Sequence, residues 1–251
     1  MDTKEVDANS SIHGEEVNYY SEDRLCKGYI AFDENRKTRL PVVIIVHEWW
    51  GLNDYARSRA RQIARLGYFA FAADLFGEGR LGKNPDEARA LTSRYYTHPE
   101  NTLKPIEDAI AKASEFPQAD ISKTAAMGYC FGGYVAVNSA KLGAPLKAAV
   151  SFHGRLVGIE PKKNLLKAKI LICQGGEDAL VPEADRVAFR KSMDDIDADY
   201  TFINYPGAMH AYTNPDATAL GEKFNMPIAY NAAADAASWE DMKSFFQAVF
   251  K

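Results

Sequence analysis

Lys123-Thr-Ala-Ala-Met-Gly-Tyr-Cys-Phe-Gly-Gly-Tyr-Val-Ala136 carries a short apolar strand straight into a small-residue helix, with Cys130 at the corner. The frame Gly128-Tyr129-Cys130-Phe131-Gly132 repeats the G-x-S-x-G turn with sulfur in place of oxygen. Its glycines let strand and helix meet in a tight turn, so the central side chain projects into a cleft. The helix start beneath Cys130 adds a chemical reason for the site, because unsatisfied N–H groups and the helix dipole favour thiolate over thiol. A lone cysteine is more often a buried structural residue. The glycine frame and the strand-to-helix switch reverse that preference, and on this reading the chain is a hydrolase.

Outward from the elbow, the chain alternates strands and helices. Val17–Tyr20 and Lys27–Phe32 read as strands joined by the polar turn Ser21-Glu-Asp, after a polar tail over residues 1–16. Pro41-Val-Val-Ile-Ile-Val-His47 is a continuous β-branched run, the mark of a parallel strand buried on both faces. An amphipathic helix follows from Asn53 to Leu66, stopped by Gly67, and Tyr68–Ala73 is the next buried strand. Helical material between Pro85 and Glu115 precedes the strand that ends at Tyr129. Strands at Lys147–Phe152, Lys169–Gln174 and Tyr200–Tyr205 continue the beat, with a helix between the last two and another from about Asp235 to Phe250. The pattern predicts one α/β domain over residues 17–251, a mostly parallel sheet with helices on both faces, and ligands at the carboxyl ends of the strands.

Catalytic candidates should then lie just after strands. Gln174-Gly-Gly-Glu-Asp178 and Pro206-Gly-Ala-Met-His210 both do, giving the chain order Cys130, Asp178, His210. Nucleophile, acid, histidine is the order of an α/β-hydrolase triad, in which the imidazole moves the proton and the carboxylate fixes its tautomer. Glu177 competes with Asp178 for the acid role. An oxyanion hole needs two backbone N–H groups, one from the residue after the nucleophile, Phe131, and one from the loop after an earlier strand, where Trp49 of His47-Glu48-Trp49-Trp50-Gly51 is placed. The paired tryptophans can wall out water, and Glu48 is the charged group placed nearest the thiol.

Composition narrows the function classes. A formal net charge of −4 argues against nucleic acid or an anionic membrane surface as partner. No apolar stretch approaches the ~20 residues of a membrane span. Met1–Ser10 has no apolar core of a signal peptide, although a precursor cleaved before this point is compatible with the same sequence. Three cysteines, Cys26, Cys130 and Cys173, form no disulfide framework and fit a reducing compartment, hence a cytoplasmic protein. No pair is spaced as a zinc site, and the reaction calls for no metal or organic cofactor.

These residues resemble the dienelactone hydrolase family, a cysteine-nucleophile branch of the α/β-hydrolase fold. The likeness runs from about Val17 to the C-terminus and is strongest at His47-Glu-Trp-Trp-Gly-Leu-Asn53, Gly128–Gly133 and Gly207-Ala-Met-His-Ala-Tyr212. It implies a Cys130–His210–Asp178 triad and assigns Glu48 to the family's additional glutamate, which holds the resting thiol and helps ionise it when substrate arrives. It also implies a small ester or lactone as substrate. The family's carboxylate-gripping arginines are not kept: their places fall on Glu78 and Asn214, neither of which can imitate a guanidinium fork. Arg80, and more weakly Arg155, are the remaining cations, and Trp50, Tyr129 and His153 are further candidates for substrate contact. The alternative is a noncatalytic member of the fold that binds a small molecule or a protein through the same pocket.

Overall fold

The computed structural model describes residues 11–251. Among the described residues, eight strands form one sheet: β1 (Ile12–Ser21), β2 (Arg24–Asp33), β3 (Leu40–Val46), β4 (Phe69–Ala73), β5 (Ala119–Tyr129), β6 (Ala148–Phe152), β7 (Lys169–Gly175) and β8 (Tyr200–Tyr205), in the spatial order β1-β2-β4-β3-β5-β6-β7-β8. β1 and β2 pair antiparallel, as do β2 and β4, and every other neighbour is parallel. The helices are α1 (Asp54–Arg65), α2 (Pro85–Thr97), α3 (Leu103–Ala113), α4 (Phe131–Lys141), α5 (Glu183–Asp194), α6 (Ala217–Phe224) and α7 (Ala232–Val249), with one 3₁₀ turn at Pro99–Thr102.

Strand periodicity divides the core between the two faces of the sheet. Val42, Ile44 and Val46 of β3 pack with Ile106 and Ala109 of α3, Val135 of α4 and Phe189 of α5. Val43 and Ile45 point the other way, towards Ala60 and Ile63 of α1 and Met242 and Phe246 of α7. α1 begins where the Asn53 side chain accepts the Ala56 N–H, and α2 where Asn84 accepts from Asp86 and Glu87 ahead of Pro85. No helix among the described residues is long and apolar enough to cross a membrane.

Two expectations change. The polar stretch Ile12–Glu16 is sheet rather than tail: it pairs with Tyr29–Asp33 as the outer edge of the antiparallel hairpin, where one face of each strand tolerates charge. Residues 1–10 of the expected tail lie outside the described residues. Helix α6 is also absent from the sequence reading, because its eight residues are too few for a helical period and include Gly221 and Thr218.

Candidate active site

The candidate catalytic side chains Glu48, Cys130, Asp178 and His210 sit just after the carboxyl ends of parallel strands, and the elbow sets their geometry. Cys130, between β5 and α4, has φ +53° and ψ −113°, a conformation an L-residue holds only when its surroundings enforce it. The enforcement is steric. A Cβ on Gly128 would stand 2.2 Å from the Gly132 carbonyl carbon, and one on Gly132 would stand 2.1 Å from the Val46 oxygen, so strand, helix and β3 touch backbone to backbone. α4 is buried along its whole length, which holds its N-terminus against the site.

His210, on the loop after β8, places Nε2 3.1 Å from Cys130 Sγ and Nδ1 2.9 Å from Asp178 Oδ2. Asp178, after β7, also accepts from Gln174 Nε2 at 2.6 Å and from the Leu180 N–H at 2.9 Å. Glu177 is exposed, so the acid facing His210 is Asp178. Burial alone would push the His210 imidazole down, but the facing Cys130 sulfur and the Asp178 carboxylate outweigh it and carry the group well above its usual range. The N–H groups of Phe131 and Trp49 have no hydrogen-bond partner among the described residues.

A cavity of about 460 Å³ opens over the sulfur. Glu48, Trp49, Asn214, Cys130 and His210 form its floor; Arg89, Thr92 and Tyr96 of α2 form one wall with Arg155; and Ala217, Leu220, Met226, Pro227 and Ile228 form the wall on the α6 side. Trp50 completes the apolar lining, its ring 4.9 Å from that of Trp49. Arg155 lies over the Tyr96 ring at 5.1 Å, and Arg89 pairs with Asp86 at 2.8 Å. Sequence reasoning named neither Arg89 nor Tyr96. Their spacing of three and four with Thr92 on a helix was the available signal, but nothing in it distinguishes a cavity wall from a solvated face.

Glu48 is buried on the floor, but its partner is Asn214, whose Nδ2 donates to Oε2 at 2.7 Å. The sulfur is hydrogen-bonded to His210 and not to Glu48, contrary to the expectation that the glutamate holds the resting thiol. Burial pushes the Glu48 carboxyl up to about 7, against the lowering effect of the Asn214 amide. Asn214, first noted only as a missing arginine, is therefore part of the floor.

Three expected substrate contacts are overturned. Arg80 does not line the cavity: its guanidinium turns back onto the Phe76 and Gly77 carbonyls of its own loop. That loop is wound around the Asp74 carboxylate, which accepts from the N–H groups of Lys27, Phe76, Gly77 and Gly79 at 2.9–3.1 Å. Tyr129 is fully buried on the opposite side of the elbow, stacked on Phe152 at 4.9 Å and facing α1. His153 is likewise fully buried and bonds the protein with both ring nitrogens. His47 is a structural partner, bridging the Glu48 carbonyl and the Leu75 N–H.

Known proteins are similar to this chain over nearly its whole length. The model of the dienelactone hydrolase family matches residues 26–250. A protein of Synechocystis sp. named "Putative carboxymethylenebutenolidase" is 27% identical over 242 residues, covering 89% of this chain and 92% of its own. The crystal structure of a dienelactone hydrolase-like promiscuous phosphotriesterase, P91, from metagenomic libraries superposes with a TM-score of 0.89 at 30% identity, covering 95% of this chain and 98% of that one. A solved structure called m3DLH gives 0.90 at 33% identity, covering 96% and 99%. The chain belongs to the dienelactone hydrolase family, carboxylic ester hydrolases built on the α/β-hydrolase fold.

Proposed function

We propose that this protein hydrolyses esters or lactones of small molecules through Cys130, His210 and Asp178. The observation that carries the reading is the continuous run from Asp178 Oδ2 through the His210 ring to Cys130 Sγ, with the sulfur and the imidazole both lining the cavity. His210 takes the thiol proton at Nε2 while Asp178 holds Nδ1–H and stabilises the imidazolium. The thiolate attacks the carbonyl carbon, and the N–H groups of Phe131 and Trp49 receive the charge that develops on oxygen. Collapse breaks the C–O bond, the leaving alkoxide takes the proton from His210, and a thioester remains on Cys130. Water then gives a proton to His210 and attacks the thioester, releasing the acid and restoring the thiol. Thiolate leaves readily, which suits esters and lactones. A protonated Glu48 adds no negative charge to the floor on which the thiolate forms.

Intact-mass analysis with activated esters tests the reading. The unmodified chain should show a Cys130 acyl adduct and turnover. Cys130→Ala should lose both, and His210→Gln should lower turnover by about 10³-fold or more. Turnover and adduct both absent across a broad ester panel would remove the proposal.

A further inference from the structure

The elbow and the histidine loop are separate segments, yet their sulfur and nitrogen must stay about 3 Å apart for the proton to pass. One side chain is bonded to both. His153 Nδ1 accepts the Cys130 N–H at 3.1 Å, which is shared with the Phe152 carbonyl at 2.9 Å. His153 Nε2 lies 2.8 Å from the hydroxyl of Thr213, three residues beyond His210. Since a backbone N–H can only donate, Nδ1 is the acceptor, so the proton sits on Nε2 and is given to Thr213. The imidazole is fully buried, with the His210 and Tyr212 rings each at 5.2 Å.

Two further observations show that this is a built arrangement. His153 has φ +44° opposite Cys130 at +53°, so two strained residues at the ends of adjacent strands are joined by this bond. The far side is anchored in turn: Thr213 Oγ1 is 2.7 Å from the Tyr55 hydroxyl, and Arg59 reaches the Thr213 carbonyl at 2.7 Å and Asp235 at 2.6 Å.

We infer that His153 is a positioning residue that clamps the nucleophile elbow to the histidine loop and so fixes the distance between Cys130 and His210. The clamp needs a neutral ring, since protonation at Nδ1 would turn the acceptor into a donor facing the Cys130 N–H. Burial, with His210 and Arg59 adding to it, holds the His153 imidazole well below its usual range and keeps that ring neutral. His153 touches no substrate on this account, and the inference rests on the reading of Cys130 and His210 as a reacting pair.

His153→Phe keeps the ring and removes both bonds, whereas His153→Asn keeps an acceptor where Nδ1 stands and tolerates the positive φ. His153→Phe should lower kcat on an activated ester by about 100-fold with KM within about threefold, and His153→Asn should recover about tenfold of the loss. Thr213→Val should lower kcat in the same direction but less, and should add nothing to His153→Phe in the double variant. The pH profile of Cys130 alkylation by iodoacetamide needs no ester, so it separates this inference from the hydrolase reading. Its inflection should be displaced in His153→Phe and stay near the parent's in His153→Asn. A folded His153→Phe with the parent's kcat and alkylation profile would overturn the clamp. Should that variant not fold, Thr213→Val with both quantities unchanged would overturn it equally.

Discussion

At the scale of single residues, Glu48 is held away from its ordinary behaviour by burial. Its carboxyl is buried and raised to about 7, whereas in the unfolded chain it titrates near the usual value for glutamate. The unfolded state therefore releases the proton first, and folding must take it back. Between roughly pH 4.5 and 7 this contribution to stability declines as pH rises, and above about 7 it levels off. Glu48→Gln keeps an oxygen for the Asn214 amide and removes the titration. The variant should thus gain stability over the parent as pH rises, by an amount on the order of 3 kcal/mol above pH 7. Urea unfolding of both proteins from pH 5 to 8 measures the gap, and a gap that does not widen would place the Glu48 carboxyl at its ordinary value. Glu48 was legible in the sequence as a charge near the thiol, but its bond to Asn214 was not. That contact joins residues 166 positions apart, and nothing local in either segment encodes it. His153 illustrates the same limit: its bond to the Thr213 hydroxyl joins residues 60 positions apart.

At the scale of elements, the elbow was legible because its requirements are local. A strand can turn into a helix over one residue only if the flanking positions lack a Cβ, and Gly128 and Gly132 meet that condition in the sequence itself. Gly132→Ala should therefore do more than lower helix entropy. Its methyl would meet the Val46 carbonyl, which is backbone and cannot rotate away, so α4 must shift off β3. We expect destabilisation of about 2–3 kcal/mol in thermal or urea unfolding, with a loss of ester turnover beyond what the unfolded fraction explains. Unchanged turnover would mean that the elbow tolerates a displaced helix. The inner parallel strands were legible for a similar reason, since β3 and β4 are apolar on both faces. α6 and the outer part of β1 were not, because a short helix and a charged edge strand take their form from what they pack against.

At the scale of the whole molecule, the layers leave one thiol available for chemistry. Cys26 and Cys173 are buried in the two apolar faces of the sheet, and burial pushes their thiols up to about 11 and about 12. Cys130 is half-buried and opens into the cavity. Brief treatment with iodoacetamide at pH 7.5 should add one carboxamidomethyl group to the native protein, and all three cysteines should react once it is denatured. A second fast adduct on the native protein would show that one of the two faces opens.

The two walls of the cavity differ in what they are fastened to. On one side, Ile228 forms a bridge with His210, and the Ala229 N–H donates to the His210 carbonyl at 3.2 Å. On the other, Thr92 and Tyr96 project from a helix whose backbone has no such link to the histidine. Tailoring the enzyme to new substrates is thus unequal work: replacements along α2 can reshape the chamber while His210 keeps its place, whereas remodelling residues 226–229 disturbs the segment bonded to His210. The helix is the adjustable jaw and the bridged segment the fixed one, and variation in substrate range should accumulate on the former.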